Sequence, residues 1–454
     1  MAERDLPRSV GKILQKVAGT ASGLACTREP VRIISHYDAD GLCAGGILSI
    51  ACLRRGIPFR TSIVHGLEAS VINELAAHPH DWVLFSDLGS GALDLVERLE
   101  GRTVVIDHHR PLRESKSVVQ LNCHLWGIDG AFEACASTLA LMMAVALDDA
   151  NWDMAGVAVA GAIGDRQHTG GMRGLNAEVL SAAQDGGHLR TRKGLALEGP
   201  TLGAALAECN EPFFTGISGN PQGAARMAEA AGLSPEASLG ELDGPDVSAL
   251  ASLLVLRLLR QGVPEEFASG VMADRHWMPG RDADSNELSA VVNACGRLGR
   301  EDVGLAAAMG GREALAEARE VRREYRARIM KGMLEIQAKG VQKRANLQYF
   351  YTDNAQIAGA FAALVMNYLF PGPLPTISLA REGDSMKVSA RGTRGLIARG
   401  LDLAEACRKA ATATGGDGGG HNIASGATIP LGSEMAFLDA LDKAVGQQLA
   451  GGSR

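Results

Sequence analysis

Aromatic residues are scarce in this sequence: Phe, Trp and Tyr together make up 4% of the 454 residues. A buried core therefore has to be built mainly from Ala, Leu, Val and Ile, for which the 46% hydrophobic content is ample. The same scarcity argues against extensive stacking on nucleobases. A positive net charge is lacking too, because the formal charge at pH 7 is −7. Binding of a polyanion would therefore depend on a local basic patch.

Paired cysteines and long apolar runs are absent as well. None of the eight cysteines forms a CxxC pair, which disfavours a zinc site or a disulfide framework and predicts reduced, buried thiols. The longest apolar stretch, residues 139–147, is far too short to span a bilayer. Residues 1–5 lack the apolar core of a signal peptide. We therefore expect a soluble, cytoplasmic protein that does not associate with membranes.

Residues 31–110 alternate between short apolar runs and helical patterns, which is typical of an α/β fold. Strands are predicted at residues 31–34, 59–64, 82–85 and 103–106. These runs are continuously apolar, as expected for a parallel sheet that is covered on both faces. Helices are predicted at residues 42–54 and, in two parts, at 137–164. This half of the chain is therefore predicted to form a parallel-sheet domain.

The second half is predicted to be a helical elaboration followed by a smaller α/β domain. Residues 185–310 contain short helical patterns between Gly and Pro residues, and residues 313–337 predict one long connector helix. Strands are predicted at residues 347–351, 376–380 and 386–390, with helices near 357–369 and 403–413. A glycine run at residues 415–420 and then His421 follow.

Acidic and histidine residues cluster where the predicted strands end. The first strand is followed by His36-Tyr37-Asp38-Ala39-Asp40-Gly41, the third by Asp87 and the fourth by Asp107-His108-His109; Asp165 follows a later apolar helix. Ligands of parallel sheets bind beyond the carboxyl ends of the strands, and carboxylate and imidazole groups suit manganese or magnesium. The sequence therefore predicts a pair of divalent cations about 3.5–4 Å apart, with these candidate ligands: His36, Asp38, Asp40, Asp87, His108 and Asp165.

Each cluster has a simpler explanation when it is taken alone. Asp40 could cap a helix while His36 packs, Asp87 could close an Asx-turn, and the Asp-His-His segment could be a solvated turn. Together they favour metal binding, because four carboxylates in one crevice repel each other unless cations neutralise them.

The C-terminal glycine run is a candidate phosphate site. Backbone N–H groups of Gly418, Gly419 and Gly420, with the imidazole of His421, could bind a phosphate. The run lacks the Gly-Lys-Ser/Thr ending of a Walker A loop, and a flexible loop is the alternative. Arg391, after a predicted strand, is a candidate phosphate clamp or a solvated arginine.

The order His-x-Asp-x-Asp-Gly, Asp, Asp-His-His, Gly-Asp and a distal Gly-Gly-Gly-His resembles the DHH phosphoesterase superfamily with a C-terminal DHHA1 domain. Within it, the chain resembles the archaeal RecJ-like nucleases of the GINS-associated type. The resemblance implies a DHH domain at residues 1–310, with its helical elaboration at about 185–310. A connector helix at 311–340 and a DHHA1 domain at 341–454 would follow.

The resemblance also implies a role for each motif residue. One metal ion, Mn²⁺ in the first place and Mg²⁺ as the alternative, would be held by His36, Asp38 and Asp87. The other would be held by Asp40, Asp87, His108 and Asp165, with Asp87 bridging. His109 would contact the scissile phosphate and Asp107 would support the histidines. The phosphate or terminal nucleotide would be bound by Arg391, Gly418, Gly419, Gly420 and His421.

The implied activity is exonucleolytic hydrolysis of single-stranded DNA or RNA to mononucleotides, in DNA replication or repair. GINS and the replicative helicase complex are the implied candidate partners. One alternative is a phosphodiesterase for short oligoribonucleotides, a nucleoside bisphosphate or cyclic dinucleotides. A second alternative is a replisome scaffold of the Cdc45 type that binds GINS.

Overall fold

A computed structural model describes residues 8–78 and 80–451. The predicted absence of a signal peptide concerns residues 1–5, which lie outside these ranges. The chain divides into two compact units: unit 1 is Met1–Lys193 with Asp274–Tyr325, and unit 2 is Gly194–Ala273 with Arg326–Arg454. Residues 194–273 thus group with the C-terminal part of the chain. The domain boundaries at 310 and 341 remain a prediction.

The strands are β1 Val31–His36, β2 Phe59–Val64, β3 Trp82–Ser86, β4 Arg102–Asp107, β5 Val119–Asn122, β6 Arg190–Leu195, β7 Met272–Trp277, β8 Gln342–Lys343, β9 Gln348–Tyr351, β10 Thr376–Glu382, β11 Ser385–Arg391, β12 Asp417–Gly420 and β13 Ala424–Pro430.

The α-helices are α1 Arg8–Ala25, α2 Ala39–Arg54, α3 Ala69–Ala76, α4 Leu93–Val96, α5 Ala136–Leu147, α6 Ala155–Gly164, α7 Gly174–Asp185, α8 Leu202–Ala207, α9 Pro221–Ala230, α10 Gly244–Arg260, α11 Glu265–Ala268, α12 Ser285–Arg297, α13 Glu301–Ala308, α14 Arg312–Lys339, α15 Ala358–Leu364, α16 Arg394–Ala398, α17 Leu403–Ala413 and α18 Glu434–Gly451. Short 3₁₀ helices are Ser90–Ala92, Cys123–Trp126, Asp149–Met154, Leu239–Glu241 and Ser269–Val271, and a π-helix is Val365–Leu369.

Unit 1 is built on a five-stranded parallel sheet with strand order β2-β1-β3-β4-β5. Successive side chains of a strand point to opposite faces, and both faces are covered. Ile33 and Leu84 join the larger core with α1, α2, α5 and α6, whereas Ile34 and Phe85 join the smaller core under α3 and α4. The predicted parallel sheet with helices on both faces is confirmed.

Unit 2 contains a six-stranded mixed sheet with strand order β12-β13-β11-β10-β9-β8. β9 and β10 are parallel, and the other neighbours are antiparallel. The helices α17 and α18 contribute Leu403, Phe437 and Leu441 to its core. The remaining strands, β6 and β7, form a two-stranded sheet. The predicted smaller C-terminal α/β domain is confirmed.

Several local expectations need correction. The glycine run does not form a flexible loop, because Asp417–Gly420 is the edge strand β12 and pairs with β13. The helix predicted near residues 357–369 is α15, which continues as the π-helix. All eight cysteines are free, but Cys26 is exposed and the other seven are buried.

Within the described ranges, no helix has both the length and the apolar character that crossing a membrane requires.

Candidate metal centre

Three neighbouring strands of the unit 1 sheet deliver the acidic and histidine clusters to one edge. His36 is the last residue of β1, Asp87 follows β3 directly, and Asp107 is the last residue of β4. Ser35 of β1 pairs with Ser86 of β3, which places the ends of these two strands level. The carboxyl ends of parallel strands thus bring together side chains that lie far apart in the sequence.

The first group of possible metal ligands consists of His36, Asp38 and Asp87. Nδ1 of His36 lies 3.2 Å from an oxygen of Asp38 and 3.2 Å from Oδ2 of Asp87. Asp38, and not Asp40, is the N-cap of α2, because its Oδ1 accepts a hydrogen bond from the Gly41 amide. A Cβ atom at Gly41 would lie 2.4 Å from the His36 carbonyl oxygen, so this tight turn requires glycine.

The second group consists of Asp40, His108 and Asp165. Nε2 of His108 lies 3.2 Å from Oδ2 of Asp165 and 3.9 Å from Oδ2 of Asp40. Asp40 is fully buried, and its two oxygens accept hydrogen bonds from the amides of Ala136 and Ser137. These amides are the first of α5, and a helix N-terminus stabilises a negative charge.

Asp87 lies between the two groups and faces both. Its Oδ2 is 3.2 Å from Nδ1 of His36, and its Oδ1 is 3.2 Å from Nε2 of His108. The backbone of Asp87 has φ of 62°, in the left-handed region that non-glycine residues rarely occupy. Such backbone strain is found mainly at functional sites. This conformation places one carboxylate where it can bridge two cations.

Two buried polar atoms at the centre fit metal ligation. Nδ1 of His108 lies 2.7 Å from the Gly130 carbonyl oxygen, and donation to it would leave Nε2 as the nitrogen that can bind a cation. This Nε2 and Oδ1 of Asp87 are buried, and neither makes a hydrogen bond within the described part of the chain. Unsatisfied buried polar groups are costly. A divalent cation would satisfy both atoms, and the second hydrogen bond of His108 is typical of metal-binding histidines.

The shifted pKa values of the cluster also indicate a site for cations. Burial and repulsion from neighbouring carboxylates raise the pKa of Asp165 to about 8, against the attraction of His108. Burial and the charge of Asp87 raise the pKa of Asp40 to about 6. Burial opposes a charge on His36, but Asp38 and Asp87 outweigh it and raise its pKa to about 11. The centre therefore retains protons that cations would displace.

Asp107 holds His109 rather than facing the two groups. Its Oδ1 lies 2.8 Å from Nδ1 of His109 and also accepts the His109 amide, while its Oδ2 accepts the amide of Ser90. Burial opposes a charge on His109, but Asp107 outweighs it and raises the His109 pKa. The His109 side chain is 34% exposed and lies 3.9 Å from Oδ1 of Asp87. A partly open imidazole at the edge of the centre, with its pKa raised, can donate a hydrogen bond to an anion.

Gln167 supports the second group, and the sequence analysis missed it. Its buried Nε2 donates to the carbonyl oxygens of Gly130 and Ala134, and to Oδ2 of Asp165 at 3.3 Å. Its Oε1 accepts from Asn176. Gln167 thus shares the Gly130 carbonyl with His108. In the sequence, the position of Gln167 two residues after Asp165 is the one feature that points to it. No sequence feature indicates the role of Gly130.

The C-terminal candidates form a separate cluster within unit 2. Arg391 ends β11 and pairs with Ala424 of β13, whose carbonyl oxygen accepts the amide of His421. The edge strand β12 brings Gly418, Gly419 and Gly420 to the other side of β13. Gly359 of α15 gives Arg391 room, because a Cβ atom there would lie 2.6 Å from Nη2 of the arginine. An arginine, an imidazole and an edge of backbone amides can together bind a phosphate.

Solved structures of low sequence identity share the fold. RecJ of Thermus thermophilus in complex with Mn²⁺ has a TM-score of 0.60 at 16% identity, covering 96% of this chain and 55% of that one. The chain therefore spans about half the length of that RecJ. Another exonuclease RecJ, bound to manganese, gives 0.59 at 15% identity and covers 98% and 96%. Cdc45 of Entamoeba histolytica gives 0.67 at 13% identity and covers 96% and 99%.

Sequence comparison identifies the family. An uncharacterized protein of Methanocaldococcus jannaschii is 28% identical over 428 residues, which are 92% of this chain and 94% of that protein. The model of the DHH family, N-terminal domain, matches residues 30–162. The DHHA1 domain model matches residues 347–447. With a DHH domain in its first half and a DHHA1 domain near its end, the chain belongs to the DHH/DHHA1 superfamily.

Proposed function

We propose that this protein is a RecJ-like, metal-dependent exonuclease that hydrolyses the phosphodiester bonds of single-stranded DNA or RNA. The observation that carries the proposal is the position of Asp87, whose two oxygens each lie 3.2 Å from a histidine nitrogen of a different ligand group. A bridging carboxylate between two sets of ligands is what a two-metal hydrolase needs. The RecJ neighbours, two of them bound to manganese, support the same reaction class.

In this proposal, His36 and Asp38 would hold one divalent cation, Asp40, His108 and Asp165 would hold the other, and Asp87 would contribute to both sites. Mn²⁺ suits this mixture of imidazole and carboxylate ligands, with Mg²⁺ as the alternative. When bound, two such cations supply an activated water and neutralise charge on the phosphoryl group.

The remaining residues orient the substrate. His109, held by Asp107, donates a hydrogen bond to a phosphate oxygen beside the reacting phosphorus. In unit 2, Arg391, His421 and the amides of Gly418, Gly419 and Gly420 bind a phosphate or the terminal nucleotide. A cluster of acidic residues without a catalytic role would need neither the Asp107–His109 pair nor the phosphate-binding residues of unit 2.

Cleavage of end-labelled strands tests the proposal. The wild type should release mononucleotides from single-stranded DNA or RNA with Mn²⁺, and Asp87→Asn should lower the rate by at least about 10³-fold, because removal of one preorganised electrostatic group can cost that much. Asp185→Asn, at an exposed carboxylate of α7, is the matched control and should cleave as the wild type does. Equal cleavage by the wild type and Asp87→Asn would overturn the assignment.

His109→Gln separates chemistry from metal binding. The change removes the imidazole that Asp107 holds and leaves the six proposed ligands, His36, Asp38, Asp40, Asp87, His108 and Asp165, in place. We expect kcat to fall by about 10²-fold while Mn²⁺ affinity, measured by calorimetry, stays within twofold of the wild type. A parallel loss of Mn²⁺ binding would show that His109 is a ligand rather than a phosphate contact.

Two other functions remain as outcomes of these assays. Faster cleavage of dinucleotides than of long strands would favour a phosphodiesterase for short oligoribonucleotides, a nucleoside bisphosphate or cyclic dinucleotides. The Cdc45 neighbour, which the chain matches over 99% of its length, favours a replisome scaffold that binds GINS. Purified GINS retained on the immobilised protein, together with no cleavage, would support scaffolding alone. Intact ligand groups argue against that outcome.

A further inference from the structure

Aromatic rings gather beside the metal centre although the chain has few of them. Tyr37 lies between the candidate ligands His36 and Asp38 in the sequence. Its ring stands edge-on to that of His36, with 4.6 Å between the centroids. The Tyr37 ring is therefore in contact with His36 of the first ligand group.

Tyr37 also stacks on a second ring from another strand. The rings of Tyr37 and His65 are 4.1 Å apart between centroids and 21° from parallel. His65 directly follows β2, and its Nε2 lies 3.0 Å from an oxygen of Glu301 at the start of α13. The side chain of His65 is 68% exposed. Its imidazole is thus held in place on one face and accessible on the other.

Arg297 fixes the other partner of the stack. Its Nη1 donates a hydrogen bond to the Tyr37 hydroxyl at 3.0 Å, and its guanidinium lies 5.4 Å from the centroid of the Tyr37 ring. The preceding residue, Gly296, makes this approach possible, because a Cβ atom there would lie 2.0 Å from the Tyr37 carbonyl oxygen. Three separate elements, the turn after β1, the end of β2 and the end of α12, hold the two rings.

Core packing does not account for this arrangement. Stabilisation by packing comes from apolar area removed from water, and the His65 side chain keeps 68% of its area in water. An exposed, oriented ring next to a phosphodiester-cleaving centre is instead suited to a planar ligand. Every nucleobase offers such a face, so stacking tolerates any sequence.

We propose that the stacked rings of Tyr37 and His65 form a platform for the nucleobase adjacent to the scissile phosphate, with Arg297 as a positioning residue for Tyr37. The inference rests on the proposed nuclease function and narrows it. The substrate class is a strand that bears bases, and recognition at this position is by base stacking rather than by sequence. A base-free phosphodiester would lose this contact.

Fluorescence of 2-aminopurine tests the stack without turnover. The probe is a short oligodeoxythymidine with 2-aminopurine at one end or the other, bound to the full-length protein in EDTA. Stacking should quench the fluorescence at one of the two ends with the wild type. His65→Ala should relieve the quenching and weaken binding about fivefold, the lower end of the range for base–aromatic stacking. His78→Ala, at an exposed histidine after α3, should behave as the wild type.

Kinetics with Mn²⁺ give a second test, the KM for strands with ordinary and with abasic terminal nucleotides. A purely structural role of His65 would not change the preference between these two substrates. The wild type should have a KM about fivefold lower for strands with ordinary terminal nucleotides than for strands with abasic ones. His65→Ala should lose that preference with kcat changed less than twofold. Tyr37→Phe, which removes the hydroxyl bound by Arg297, should reduce the preference partly.

The outcomes separate this inference from the proposed function. An active wild type whose preference and quenching persist in His65→Ala would overturn the platform and leave the nuclease assignment intact. A wild type that neither binds nor cleaves strands would overturn both. Loss of preference in His65→Ala with retention in His78→Ala supports the platform.

Discussion

Asp165→Asn should reverse the order of stability of wild type and variant when Mn²⁺ is added. Burial and nearby carboxylates raise the pKa of Asp165 from 3.8 to about 8, so its charge is unfavourable in the metal-free protein. Asparagine keeps the shape of the side chain and removes that charge. Without metal, the variant should therefore be more stable than the wild type. With metal, it should be less stable, because a ligand is gone.

The magnitude follows from the pKa shift. One pKa unit corresponds to about 1.4 kcal/mol, so the interval between 3.8 and pH 7 sets an upper bound of about 4 kcal/mol for the cost of Asp165 in the wild type. The side chain is 24% exposed, and Asn loses the attraction of His108. We therefore expect a net gain in the free energy of unfolding of about 1–2 kcal/mol without metal.

The metal contribution works in the opposite direction. Mn²⁺ at about 100 times its Kd stabilises the wild type by ~2.7 kcal/mol. Loss of one ligand should weaken binding at least about 100-fold, the upper end for groups that only support ligands. The variant would then gain about 0.4 kcal/mol from the same Mn²⁺ concentration. The difference of ~2.3 kcal/mol exceeds the gain of about 1–2 kcal/mol from charge removal, so the order reverses.

Thermal unfolding of both proteins in EDTA and in Mn²⁺ measures the reversal. Asp185→Asn on the surface of α7 is the control and should follow the wild type in both conditions. The acid's folded pKa lies above its unfolded value, so the advantage of Asn without metal should vanish near pH 4 and grow toward pH 8. A variant less stable than the wild type in EDTA at pH 8 would refute the idea that the carboxylates repel each other.

Three further predictions concern other parts of the centre. Gln167→Met removes the hydrogen bond to Asp165 and should weaken Mn²⁺ binding by about 10-fold, measured by calorimetry; unchanged affinity would show that Gln167 has no role in orienting the ligand. Mn²⁺ binding should release protons from Asp40 and Asp165, because their pKa values without metal are about 6 and about 8. The affinity for Mn²⁺ should therefore rise between pH 6 and pH 8. Calorimetry in buffers of different ionisation enthalpy measures the proton release, and a binding enthalpy that does not depend on the buffer would contradict it. Gly161→Ala should destabilise the protein by about 1–3 kcal/mol, because its Cβ atom would lie 2.5 Å from Oδ1 of Asp40. The control Gly19→Ala in α1, where a Cβ atom meets nothing within 4 Å, should stabilise the protein by about 0.5–1 kcal/mol. Equal denaturant midpoints for both variants would contradict the close contact at Gly161.

The strand ends were predictable from the sequence because parallel strands carry a simple signal. A continuous apolar run ending in Asp or His indicates a buried strand whose last residues reach the ligand-binding edge of the sheet. His36, Asp87 and Asp107 follow that rule, and the structure places them at the ends of three adjacent strands. The assignment of particular metal ligands and the domain boundaries remain predictions.

Residues 415–420 show where local reasoning failed. Glycine has a low intrinsic preference for strands, so a loop was the natural expectation. Pairing with β13 overrides that preference and makes Asp417–Gly420 an edge strand. The grouping of residues 194–273 with Arg326–Arg454 depends on contacts between distant residues, which no short sequence pattern contains.

By itself, the sequence determined four of the five strands of the unit 1 sheet and the chemical character of the edge where they end, because hydrophobic periodicity and side-chain type are local properties. Only the tertiary structure decided that the two oxygens of Asp87 face different histidines, that Gln167 and His108 share the Gly130 carbonyl, and that His65 stacks on Tyr37. Each of these contacts joins residues separated by at least 21 positions, the separation of Asp87 and His108, and its geometry depends on how the chain packs rather than on any neighbouring residues.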